Sequence, residues 1–212
     1  MIPPSSISLP QFLTKWYGEP DKSAARIVSH PRVPSALTEW HTLAAQWSRP
    51  LMAVKKFTPI GDINVRDGMN VFMTDPGDAI WAFDPATPMA VYEGRMYEEW
   101  RKVPETFEEF LIHNALVETA YNAPHRLSCD SIRNDRMVDV LAPMEEVAFG
   151  EWNWPAPGHR VFANDTLIAH IGPALSEGGP LDIPSACSEV QIGAIDPTET
   201  SYLRNISDTD WF

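Results

Sequence analysis

The chain has 212 residues, 44% hydrophobic and 21% charged, and its 16 Lys and Arg stand against 29 Asp and Glu for a formal net charge of −13. A composition this close to the globular average excludes wholesale disorder and predicts a packed core, while the carboxylate excess argues against nucleic acid or an anionic membrane as the partner. Two cysteines, Cys129 and Cys187, are too few for a disulfide framework or a thiolate zinc site, and no apolar run reaches the roughly 18 to 20 residues of a spanning helix, so the chain reads as a cytoplasmic protein without an export signal.

The first predicted helix covers Leu9 to Tyr17, where Leu9, Phe12, Leu13 and Trp16 recur at three- and four-residue spacing and Gly18 follows as a stop. The second runs over 34–47, with Val33, Leu37, Trp40, Ala44 and Trp47 on one face and Pro34 and Ser35 at its start. Short apolar runs then alternate with turn residues. NVFMT (70–74), AIWAF (79–83) and MAVYE (89–93), joined by DPGD and DPATP, predict an antiparallel meander. A third helix is expected from about Thr106 to Tyr121, opened by a capping box of Thr106 and Glu109. A second hairpin is expected at 160–172, turning near Asn164 and Asp165, and residues 173–212 read as extended segments and loops wrapped on the body. The 20 prolines imply many short elements joined by fixed turns.

Charge is unevenly placed along this order. Residues 1–56 carry seven Lys and Arg and three acids, net +4, leaving −17 for the remainder, and from Asp139 onward twelve acids face only Arg160 and Arg204.

Motifs that carry chemistry are few. Neither GxxxxGK[ST] nor GxGxxG occurs, and Glu177-Gly178-Gly179-Pro180 lacks the strand-to-helix setting of a phosphate loop. His30, His41, His113, His125, His159 and His170 stand apart in the sequence, without HxH, HxxxH or HExxH spacing, and a lone helical histidine is far more often structural than a ligand. The serines have no GxSxG elbow. Cys129 in LSCDS follows His125 by four residues; beside the nucleophilic reading stands the commoner one, a half-buried loop thiol. Asp75 and Asp78, Glu98 and Glu99, Asp135 and Asp139, and Glu145 and Glu146 pair carboxylates, but acid/base work needs two carboxyls in different environments, and solvated surface is the ordinary outcome. Trp152-Asn153-Trp154 after Glu151 is the one aromatic cluster outside a periodic element. It reads either as rings plugging a sheet edge, or as a stacking platform for a sugar or a partner hot spot. No catalytic, cofactor-binding or metal-ligating residue is assigned.

The order of elements resembles the SUKH superfamily, bacterial immunity proteins related to the Smi/Knr-type cell-wall regulators of yeast. Leu9, Pro10, Phe12, Leu13 and Gly18 match its first helix, Trp81, Asp84, Val91 and Tyr92 its aromatic hairpin, and Thr106 to Leu111 (TFEEFL) its closing helix. The sequence departs from that pattern in Glu19-Pro20 after the first helix and in the extra helix 34–47. The resemblance implies an α+β fold with a small antiparallel sheet, mixed in the alternative, of about five or six strands packed on helices. It also implies one domain, with a core at 9–125 and an extension at 126–212, used as a recognition scaffold without catalytic residues. Members typically neutralise toxins, many of them nucleases. A nuclease is basic where it holds phosphate, so an acidic protein complements it. The expectation is a cytoplasmic, non-enzymatic immunity-type protein that binds a basic toxin domain through Glu98, Glu99, Glu145, Glu146, Glu151, Trp152 and Trp154. A carboxylate-dependent hydrolase is the alternative, and a carbohydrate-binding module using the two tryptophans is a third, weakened by the lack of an export signal.

Overall fold

The computed structural model describes residues 1–24, 32–95, 98–149, 158–174 and 186–212. It is α+β, with two antiparallel sheets, and the chain divides into two compact units, Ile7–Glu118 and Met1–Ser6 with Thr119–Phe212. No helix among the described residues is long and apolar enough to cross a membrane.

In the unit Ile7–Glu118, helix α1 spans Leu9–Tyr17 and buries Leu13, Trp16 and Tyr17. Gly18 ends it at φ +82°, a conformation that suits glycine, with its N–H on the Thr14 carbonyl. Helix α2 spans Ser35–Ala44, shorter than the pattern predicts. Trp47 is still buried, because its indole N–H donates to the Gly18 carbonyl at 2.9 Å and the chain turns to deliver it. The sheet runs β1 (Lys56–Phe57), β3 (Met69–Thr74), β4 (Ala79–Asp84), β5 (Thr87–Arg95) and β6 (Arg101–Thr106), with β2 (Asn64–Arg66) also paired to β3. This is the expected meander. Asp75 accepts the Ala79 N–H at 2.9 Å and Asp84 the Ala86 N–H at 2.8 Å, so the turn aspartates hold the two hairpin bends. Phe72, Trp81, Phe83, Phe107 and Phe110 form the aromatic centre, with Phe72 and Phe107 centroids 5.0 Å apart.

Helix α3 (Phe107–Asn122) opens on the predicted capping box: Glu109 N–H donates to Thr106 Oγ1 at 3.2 Å, and Thr106 N–H to Glu109 Oε2 at 3.0 Å. Every residue from Phe110 to Ala120 is buried. The helix therefore carries His113, Asn114, Glu118 and Thr119 into the interior, where each polar group must find a partner.

The second unit holds a sheet in the order β7 (His125–Arg133), β11 (Cys187–Ala194), β10 (Leu167–Pro173), β9 (Arg160–Ala163) and β8 (Glu145–Glu146), with a short helix α4 (Met137–Leu141). The hairpin expected at 160–172 is β9–β10. Two expectations need correction. Residues 187–194 do not wrap the body: β11 is an interior strand, hydrogen-bonded to β7 and β10, with Val190, Ile192 and Ala194 buried at alternate positions. Cys129 is a buried strand residue rather than a loop thiol, and His125 lies four positions away on the same extended strand, about 13 Å off at strand rise. Ile132, Val140, Leu167, Ala169, Ile192 and Leu203 make up this core, and Asp196 caps the 3₁₀ helix Pro197–Asn205 by accepting the Thr198 N–H.

Candidate functional site

The buried face of α3 organises the most polar place in the unit Ile7–Glu118. Glu118 is fully buried, and its two oxygens accept the backbone N–H groups of Ala53 (2.6 Å), Val54 (2.7 Å) and Lys55 (3.1 Å). The same carboxylate takes the Lys55 ammonium at 3.4 Å, with both side chains shielded from water and the Trp81 ring 5.8 Å from Nζ. Residues 53–55 lead into β1, and a helix carboxylate accepts N–H groups there as a neighbouring strand would. Burial pushes the Lys55 pKa down, opposed by the Glu118 charge.

One turn earlier on α3, His113 Nδ1 meets Glu105 Oε1 of β6 at 2.8 Å, both buried. Burial raises the Glu105 pKa to about 7, with the nearby Glu109 charge adding to the rise. Burial holds His113 well below its ordinary value, and the Lys55 charge acts in the same direction. The pair is thus most stable with one shared proton and no net charge. Glu105 also borders a surface recess of about 450 Å³ with Met89, Lys102 and Pro104, but its carboxyl, 2% exposed, stays inside against His113.

The residues singled out for partner binding fall into separate places. Glu98 and Glu99 are exposed between β5 and β6, and neither has an ion-pair partner among the described residues. Glu145 and Glu146 form β8. Glu145 is exposed and accepts from the Met1 amino group at 3.1 Å, whereas Glu146 grips Arg160 with both oxygens, Nε at 2.7 Å and Nη2 closer still. That hydrogen bond lowers the Glu146 pKa, and the cross-strand pairing of β8 with β9 explains the contact. Glu151, Trp152 and Trp154 lie outside the described residues. Of the other paired acids, Asp135 is bound to Arg133 at 2.6 Å.

Isolation in sequence did not keep the histidines apart. His159 Nδ1 and His170 Nε2 are 3.2 Å apart with stacked rings, and Tyr121 Oη is 3.2 Å from His170 Nδ1. The hairpin register explains it. With His170 opposite Val161 and Ile171 opposite Arg160, the next step sets His159 beside Gly172, where a Cβ would stand only 2.2 Å from the imidazole. The hairpin turn, which the sequence does show, carried that information. Among the described residues no group of three His, Cys, Asp or Glu is placed to hold a metal ion.

No protein-family model, curated protein or solved structure matches this chain.

Proposed function

We propose that the chain is a SUKH-like recognition protein that acts in the cytoplasm by binding a basic protein domain, in the manner of an immunity protein holding a toxin. The observation that carries the reading is the division of labour in the unit Ile7–Glu118. Of the residues that carry the family resemblance, Leu13, Trp81, Val91, Phe107, Phe110 and Leu111 are buried, while Thr106 and Glu109 cap α3. The buried charges are engaged with one another, whereas the exposed Glu98 and Glu99 in the same segment are left for a partner. Adjacent solvated carboxylates steer a basic surface and set its orientation, and such charges act on the encounter rate more than on the final affinity.

The direct test is co-expression with any basic toxin domain encoded beside the gene, followed by kinetics of the purified pair at about 0.05 and 0.5 M salt. The expected result is protection, with an association rate that falls at high salt and falls again in Glu98→Lys/Glu99→Lys. No binding, or association indifferent to both salt and the reversal, refutes the proposal.

One observation favours a hydrolase as the second reading. Glu105 is a buried carboxyl with a raised pKa, and the residue is among those that line a recess. That reading requires turnover that disappears in Glu105→Gln while binding of the toxin is unaffected.

A further inference from the structure

The unit Met1–Ser6 with Thr119–Phe212 is the acidic part of the molecule, with five arginines against fourteen Asp and Glu. Three of those five arginines, Arg126, Arg136 and Arg204, make no ion pair among the described residues. Arg133 and Arg160 are ion-paired, with Asp135 and Glu146. Arg126 and Arg204 have no carboxylate within ion-pair distance among the described residues, and both line the same cavity of about 830 Å³. His125 lines it as well, and none of the lining side chains is Asp or Glu. Asp196 lies nearby, its pKa lowered by the hydrogen bonds from Thr198 with the His125 charge adding to that, and Phe212, whose main-chain oxygen accepts the Ser128 N–H at 2.9 Å, is in the lining as well.

The remaining lining supplies fixed geometry and apolar surface. Arg126 is held by an Nη1 hydrogen bond to the Tyr121 carbonyl at 2.6 Å, which leaves the other donors of its fork available. Trp211 contributes apolar wall. The volume falls in the range of small-molecule sites, and cationic groups collected in a concavity focus an attractive field even where the unit as a whole repels anions.

We infer that this cavity binds a small organic anion, a carboxylate, sulfonate or phosphate ester carried on an aromatic or aliphatic body. Arg126 and Arg204 hold the charged group, and the Trp211 ring packs its body. The inference does not rest on the partner surface proposed at Glu98 and Glu99.

The probe is 1-anilinonaphthalene-8-sulfonate, compared by fluorescence titration with N-phenyl-1-naphthylamine, which keeps the rings and lacks the sulfonate. The expected result is one saturable sulfonate site, with the neutral compound bound about tenfold more weakly or worse. Arg204→Gln should weaken sulfonate binding by about tenfold, the scale of one charge-assisted hydrogen bond, and Arg204→Lys should recover most of it. Arg204 makes no hydrogen bond inside the unit among the described residues, so the substitution does not threaten the fold, and near-UV circular dichroism checks this. Equal binding of the two probes, sulfonate binding unchanged in both Arg204→Gln and Arg126→Gln, or no binding at all overturns the inference.

Discussion

Removing the Glu118 charge is the sharpest test of how the unit Ile7–Glu118 is held together. In Glu118→Gln the shape is kept, but one acceptor oxygen becomes an NH₂ group. Four donors now converge on that carboxylate, the N–H groups of residues 53, 54 and 55 and the Lys55 ammonium. One amide oxygen cannot serve them all, so at least one backbone N–H is orphaned and the buried Lys55 cation loses its hydrogen-bonded anion, keeping only the weaker influence of the Asp75 charge. Its side chain is 1% exposed, so it cannot turn to water without moving the segment. Breaking a buried pair from one side costs about 3–5 kcal/mol, a large fraction of the roughly 5–15 kcal/mol that holds an ordinary domain together. With a urea m-value of about 2 kcal/mol/M, a loss of about 4 kcal/mol moves the midpoint down by about 2 M. The assay is urea denaturation at pH 7, with hydrogen exchange at the amides of residues 53–55 as the local readout. In a Lys55→Met background the unpaired cation is gone, and the same Glu118→Gln change should cost about 1–2 kcal/mol, the orphaned donor alone. A Glu118→Gln midpoint within about 0.3 M of the parent, or an equal cost in both backgrounds, refutes the reasoning.

The Glu105–His113 pair makes a pH prediction. Glu105, raised from 4.5 to about 7, contributes stability that is complete below pH 4.5 and is lost as pH rises through about 7, whereas His113, lowered from 6.5, contributes stability gained as pH rises through 6.5. The two slopes oppose, so between about pH 5 and 6.5 the pair leaves stability flat; in Glu105→Gln the His113 slope remains, and stability should climb by up to about 1.4 kcal/mol per pH unit over that range. Urea midpoints at several pH values decide it, and parallel profiles for parent and variant would sink the shared-proton account. Thr106→Ala removes the hydroxyl that accepts the Glu109 N–H and should lower stability by about 1 kcal/mol, with Thr106→Ser close to the parent; an unchanged melting temperature contradicts it. Gly193→Ala on β11 would bring a methyl to 2.7 Å from Ala123 Cβ and 3.1 Å from the Thr119 carbonyl oxygen, and should cost about 1–3 kcal/mol, measured by thermal unfolding. A neutral Gly193→Ala variant would mean that the sheet and the end of α3 pack more loosely than described.

Local signals account for what could be read in advance. The helix of Leu9–Tyr17 follows from apolar residues at three- and four-residue spacing with a glycine stop. The capping box at Thr106 marks the start of α3, and turn aspartates bracket the strands of the meander. Each depends on residues within a few positions of one another, which is why the sequence alone shows them. β11 escaped because Gly193 and Ala194 dilute its alternation and its partners β7 and β10 lie far away in the chain.

The same distinction separates the two kinds of site residue. The amount of acid, its concentration after Asp139, and the exposed pair Glu98 and Glu99 belong to the sequence, because solvated charge needs no partner. Lys55 with Glu118, Glu105 with His113, His159 with His170, and the two unpaired arginines at one cavity were decided only by the tertiary structure. A buried polar group is defined by what faces it across the fold, and that is set by strand register and helix packing, not by neighbours along the chain.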